Sequence, residues 1–443
     1  MTFTRRNVLT STLFGAGLLG LRSLATGIPT KLLAGGPQAF ADTMSTCGNP
    51  KAQYVILATS GSGDPLNANA PGTYGGGALA SVSHNLDPSM SPTAVKIGGT
   101  STTAAMPWST TASGGQFTQD VLDRMAVFHL MTNTPVHPRE PDVLGLMDAT
   151  VPKEMLPSLL SRQLAGCLGT VQNQPITLGA ASPSEGLSFG GQALPIIPPL
   201  ALKSTLTNPA GPLAGLTKLQ ALRDDTLSKI NDIYRRSATR AQKAYLDSVI
   251  TSQAQIRSIN QDLLSALGAI TDNSVASQIT AAVVLIQMNV TPVIAIHIPF
   301  GGDNHSDTGL AAEALQTTSG LGSIASLMSL LKNMSNAQGN LFDQTSLITL
   351  NVFGRTMAAV HTDGRDHNPN HQVSLAIGKP FKGGVFGGIA PVGNDFGATK
   401  IGTIAPLDTL ASFGQTIMSA VGIEAATISK VITSGKVITE ALT

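Results

Sequence analysis

Two short stretches carry the residue types that could do chemistry. Gly301-Gly302-Asp303-Asn304-His305-Ser306-Asp307 follows the apolar run 290–298, and Gly364-Arg365-Asp366-His367-Asn368-Pro369-Asn370-His371 follows the β-branched run 345–352. Both supply carboxylate oxygen and imidazole nitrogen, and neither contains a thiol. Asp303, His305, Asp366, His367 and His371 therefore make a donor set suited to Zn, Mn or another divalent ion. Taken alone, Asp303-Asn304-His305 reads as a turn closed by local hydrogen bonds; two such sets behind two strands favour the ligand reading. Arg355 lies between them in Phe353-Gly354-Arg355-Thr356. Its guanidinium fork fits an anion clamp for phosphate or carboxylate. The alternative is an ion pair to Asp303, Asp363 or Asp366 that orders the site.

These residues need elements to hold them. The runs 53–59, 125–131, 290–298 and 345–352 are β-branched and apolar, as buried strands are, and each breaks into Gly, Asp, Asn, Pro or His. Helical patterns at 274–289, 321–334 and 406–421 alternate with them, which predicts an α/β fold around a mostly parallel sheet. Such sheets place their sites at the carboxyl ends of the strands. His129, inside an apolar run, reads as core; His137, in the loop that follows, is the better ligand or substrate contact. The charged helical stretch at about 213–267 reads as an insertion or cap, and residues 75–115 as a long surface excursion containing the lone Trp108.

The ordered set Gly302-Asp303-Asn304-His305, Phe353-Gly354-Arg355-Thr356, Gly364-Arg365-Asp366-His367-Asn368-Pro369 and Lys382-Gly383-Gly384-Val385-Phe386-Gly387 resembles a bacterial family known as domain of unknown function 1501. That family carries twin-arginine signals and is grouped with the alkaline phosphatase and sulfatase superfamily. The resemblance spans about 290–423 and is weaker near 60–74. It implies an alkaline-phosphatase-like mostly parallel sheet flanked by helices, with a helical insertion, and a metal-dependent hydrolase of phosphate or sulfate esters. In the superfamily scheme two metals lie side by side. Asp366 and His367 match the adjacent pair that ligates one ion, Asp303 and His305 the ligands of the other, and His371 a third ligand. Asp64, in the Gly-rich turn after the first strand, matches a metal-binding Asp; on its own residues it reads equally as a turn cap. Zn and Mn are the expected ions, and Ca stays open.

Two departures weaken the catalytic reading. Val352 stands where the family usually has Glu, and the Trp of the usual Gly-Trp-Asp-Thr-His is lost at Gly302. The nucleophile is unranked among Ser60, Ser62, Thr132 and Thr134. The Cys/Ser-x-Pro-x-Arg pattern is absent, which argues against a formylglycine-type sulfatase. A non-catalytic envelope or surface binding protein that keeps the fold is the alternative.

Of 443 residues, 42% are hydrophobic and 12% charged, enough for one large domain with a sizeable core. Arg5-Arg6 precede a weakly apolar run, and Ala39-Phe40-Ala41 offers a small-x-small cleavage site before Asp42. Residues 1–41 thus read as a twin-arginine signal and 42–443 as the domain. The expectation is export through that machinery to the periplasm or beyond, with no stable membrane anchor. Removing the signal's Arg5, Arg6, Arg22 and Lys31 leaves 23 of 27 basic residues against 26 acidic ones, a net of −3, which does not suit nucleic acid. The family resemblance implies a small anionic ester as substrate. Cys47 and Cys167 either pair or stay as two thiols.

Overall fold

In a computed structural model of the chain, the described residues are 53–60, 63, 66, 69–74, 87–150, 154–170, 172–179, 186–207, 261–336, 338–357 and 363–443, with a few single positions between 225 and 243. Eight strands form one sheet: β1 (Tyr54–Thr59), β2 (Met125–Leu130), β3 (Ile176–Leu178), β4 (Ile196–Ile197), β5 (Val293–His297), β6 (Thr345–Thr349), β7 (Gln372–Ile377) and β8 (Gly384–Phe386). Their order is β8-β2-β7-β6-β1-β5-β3-β4, and every pairing is parallel except the two made by β7. This is the mostly parallel, helix-flanked α/β architecture expected of an alkaline-phosphatase-like fold.

Strand periodicity explains why β1 is apolar from Tyr54 to Ala58. Tyr54, Ile56 and Ala58 face one core, shared with Val283 and Ile286 of α2 (Val275–Gln287) and with Leu321 and Ile324 of α3 (Ala311–Asn333). Val55 and Leu57 face the other, shared with Leu160 and Leu164 of α1 (Leu156–Leu168) and Phe413 and Ile417 of α4 (Thr409–Ala420). A sheet covered by helices on both faces needs apolar residues on both, so β1 reads as a continuous run rather than an alternation.

Three expectations are refined. Residues 75–115 are not all excursion: Pro92–Ile97 and Thr100–Ala105 pair as a hairpin, and Trp108 is buried, its Nε1 donating to Asn69 Oδ1 at 3.2 Å. Cys167 is disulfide-bonded, and Cys47 is the chain's only other cysteine. The insertion at 213–267 falls largely outside the described residues; at its end the helix Gln261–Gly268 packs beside α2. No helix among the described residues is long and apolar enough to cross a membrane.

Candidate metal centre

The site lies where parallel strands end, and the reversed strand completes it. Because β7 runs against its neighbours, the segment entering it, 366–371, arrives at the edge where β1, β2, β5 and β6 leave. Three loops meet there. The loop after β5 is held at one end by Ile298 N donating to Thr59 O at 3.0 Å. At the other end Asp307 caps α3, accepting from Ala312 N and Glu313 N at 2.9 Å each. The loop after β6 forms a two-residue ribbon, Gly354–Arg355 against His367–Asn368, which sets His367 opposite Arg355. The loop after β2 is seamed to it by Asn133 N donating to Pro369 O at 2.8 Å.

These loops bring four donors together. His305 Nε2 lies 3.1 Å from Asp303 Oδ1 and 3.0 Å from His367 Nε2, and Asp303 Oδ1 lies 3.7 Å from both His367 Nε2 and His137 Nε2. Two donors on a tetrahedral ion with arms of about 2.0–2.1 Å sit about 3.3 Å apart. The carboxylate and imidazoles therefore fit a divalent ion in both chemistry and spacing.

The outer nitrogens fix the tautomers. His367 Nδ1 lies 2.5 Å from Pro135 O, and a carbonyl only accepts, so that nitrogen carries the proton. His305 Nδ1 lies 2.8 Å from Asp366 Oδ1 and likewise donates. Each ring then turns its Nε2 toward the other, 3.0 Å away, and toward Asp303, a spacing at which two nitrogen lone pairs would repel. A cation between them, metal or proton, relieves that repulsion. Ligating histidines characteristically donate their outer N–H to a carbonyl or carboxylate in this way.

Charge favours the ligand forms. Burial raises the Asp303 carboxyl, but Arg355, His305 and His137 together outweigh it and hold the group below the ordinary carboxylate range. Burial pushes His367 below its ordinary value; the Pro135 carbonyl opposes this, while Arg355, His137 and His305 add to it. The Phe353 ring floors the group, 4.2 Å from the His367 ring and 4.8 Å from that of His137. Gly63, at φ +87°, packs so closely there that a Cβ would come 2.5 Å from Phe353 Cε2.

The residues singled out from sequence are thus only partly gathered. Asp303, His305 and His367 converge, and His137 joins them as the loop position suggested. Asp366 reaches the group only through the far nitrogen of His305. His371 is a correction: it is fully buried, its Nε2 2.8 Å from His129 Nδ1, whose Nε2 in turn donates to Pro71 O at 2.9 Å. Placed just before β7, it turns into the core beside the β2 histidine, not toward the donors. Arg355 is a second correction. Its side chain is fully buried, with Nη2 donating to Gly302 O at 3.0 Å and approaching Asp303 Oδ1 at 3.4 Å, and Nη1 donating to Arg365 O at 3.2 Å. It ties the two Asp/His loops together and is not an open anion clamp. Asp64 and Ser62 lie outside the described residues. Ser60 Oγ donates to Gly63 O at 3.0 Å, Thr134 Oγ1 accepts from Val136 N at 3.4 Å, and Thr132 is buried. Sequence reasoning missed the Pro135 carbonyl, which has no sequence signal, and the Phe353 floor, which was read only as part of a motif.

No family model and no curated protein matches the chain. Among solved structures it is similar to one described as BT4656 in complex with its substrate D-glucosamine-2-N,6-O-disulfate, at 11% identity over 88% of this chain and 82% of that one, with a TM-score of 0.28. A score that low carries no argument about this chain.

Proposed function

We propose that this protein is a metal-dependent hydrolase of phosphate or sulfate esters, exported to the periplasm or beyond by the twin-arginine route. The observation that carries the metal is the convergence of the His305 and His367 Nε2 atoms on the Asp303 carboxylate, with His137 beside it. The ester class rests on the sequence resemblance of those same loops, and export on Arg5-Arg6 and the run that follows.

Asp303, His137, His305 and His367 would hold the ion, which when bound supplies Lewis acidity toward ester oxygens and toward water. The chain's residues prepare the place. Arg355 keeps Asp303 ionised and binds the two loops into one frame. Pro135 and Asp366 hold the protons of His367 and His305 on their outer nitrogens. Phe353 covers one side of the donors against water.

The burial of Arg355 and the apolar Val352 favour a second reading, a non-catalytic envelope or surface binding protein that keeps the fold. The test is elemental analysis of the folded protein beside an Asp303→Ala/His367→Ala variant, followed by a screen of phosphate and sulfate esters. Stoichiometric metal lost in the variant, with metal-dependent hydrolysis, supports the hydrolase. Hydrolysis absent, with or without metal in a well-folded native sample, supports the binding protein, and no metal refutes the metal-dependent hydrolase.

A further inference from the structure

We infer that the described donors form a centre for one Zn-like ion, held by Asp303, His305, His367 and His137, in which Asp366 is a positioning residue and not a ligand. This rests on the metal reading above and departs from the side-by-side scheme that the sequence resemblance implies.

A two-ion scheme needs two donor sets, and among the described residues Asp303, His305 and His367, expected in separate sets, are drawn into one. Asp303 Oδ1 is approached by all three imidazoles: 3.1 Å to His305, 3.7 Å to His367 and 3.7 Å to His137. His305 and His367 come from different loops, yet their Nε2 atoms are 3.0 Å apart, a separation that suits two donors on one ion and not donors on two. His371, the expected third ligand, is committed to His129 in the core.

Asp366 is turned away from this point for a local reason. Successive residues of an extended ribbon face opposite sides. His367 is paired with Arg355 inside the ribbon, while Asp366 precedes it, its backbone N donating to Thr356 Oγ1 at 3.0 Å and its carbonyl accepting from Thr356 N at 2.9 Å. Its carboxylate then meets the outer nitrogen of His305 at 2.8 Å. That contact selects the His305 tautomer and fixes the ring plane. The carboxylate is largely exposed, so exchanging it leaves the core untouched.

Three imidazole nitrogens to one oxygen favour Zn over Ca or Mg, which prefer oxygen donors.

The experiment is titration of the metal-free, full-length exported protein with Zn(II), Ca(II) and Co(II), reading stoichiometry, affinity by chelator competition, and Co(II) visible absorption. One equivalent of Zn is expected, with Ca binding far more weakly. Asp366→Asn should keep one equivalent with affinity about 10- to 100-fold weaker. Asp366→Ala should do the same, and Asp303→Asn should lose stoichiometric binding and the Co(II) spectrum. Two equivalents in the native protein, or Asp366 variants as empty as Asp303→Asn, would overturn the inference while leaving a metal centre in place. A native protein that binds none of the three ions removes the metal reading itself.

Discussion

The pair Glu313–Arg365 links the helix layer to the candidate centre and gives the sharpest test of what holds that centre in place. Glu313 Oε2 meets Arg365 Nε with the Glu313 side chain fully buried and that of Arg365 4% exposed. Arg365 Nη1 also donates to Thr356 O at 2.8 Å, its backbone N donates to Asn304 O at 2.7 Å, and its carbonyl accepts from Arg355. Replacing Glu313 by Leu leaves a buried guanidinium without its carboxylate partner, at a cost of about 3–5 kcal/mol. Glu313→Leu combined with Arg365→Met removes both charges, so the double variant should lie within about 2 kcal/mol of the native protein. In urea, with a slope near 3 kcal/mol per molar, the single variant's midpoint should fall by on the order of 1 M or more. Neither Glu313 nor Arg365 is a donor to the ion. Zn affinity should nonetheless drop about tenfold in Glu313→Leu, the lower end of the range for lost outer support, because the backbone carrying Asp366 and His367 has lost its brace. A midpoint shift worth less than about 1 kcal/mol, or a double variant as damaged as the sum of the singles, would refute the coupling.

Three further outcomes follow. His129 is pushed down to about 4 by burial, and burial with the neighbouring His129 ring holds His371 well below its ordinary value. The unfolded chain therefore binds protons that the folded one refuses. Stability should be full above about pH 6.5 and fall as pH drops toward 4, by about 3 kcal/mol from His129 alone; denaturant midpoints measured across that window check it, and a flat profile counts against it. Gly364 sits at φ +144°, and a Cβ there would strike the carbonyls of Asn304 and His305. Gly364→Ala should cost about 2 kcal/mol or more and separate the two donor loops, seen as weaker Zn binding; unchanged affinity would contradict it. Cys167→Ser should lower stability by about 2–5 kcal/mol through the loss of its disulfide, and a reducing agent should destabilise the native protein equally while leaving the variant unchanged.

Much of the frame is legible because β-branched apolar runs mark β1, β2, β5 and β6, and the breaks after them mark the loops. The reversed strand β7, Gln372-Val373-Ser374-Leu375-Ala376-Ile377, is hard to read because Gln372 and Ser374 interrupt its apolar run although every position is buried. His371 is misplaced for the same reason. Four residues past His367, it looks like a neighbouring ligand, but it already stands at the start of a strand whose partner is β2, where His129 waits. Asp366 and Arg355 carry the same lesson. Their chemistry suits ligand and clamp, and only tertiary geometry shows the carboxylate serving His305 and the guanidinium serving backbone carbonyls.

The position of β1 has a consequence for how the chain comes into being. Its neighbours are β5 and β6, with Val55 opposite Val293 and Tyr54 opposite Thr345. The first of the described strands is thus in the interior of the finished sheet, and it has no sheet neighbour until some 240 further residues have been made. Closing loops of that length is slow, and the apolar strand is exposed meanwhile. The donors repeat the pattern, since His137 waits for Asp303 and both wait for His367. A nascent chain halted before β6 should stay protease-sensitive along β1 and bind no ion, because both the second neighbour of β1 and His367 are still to come.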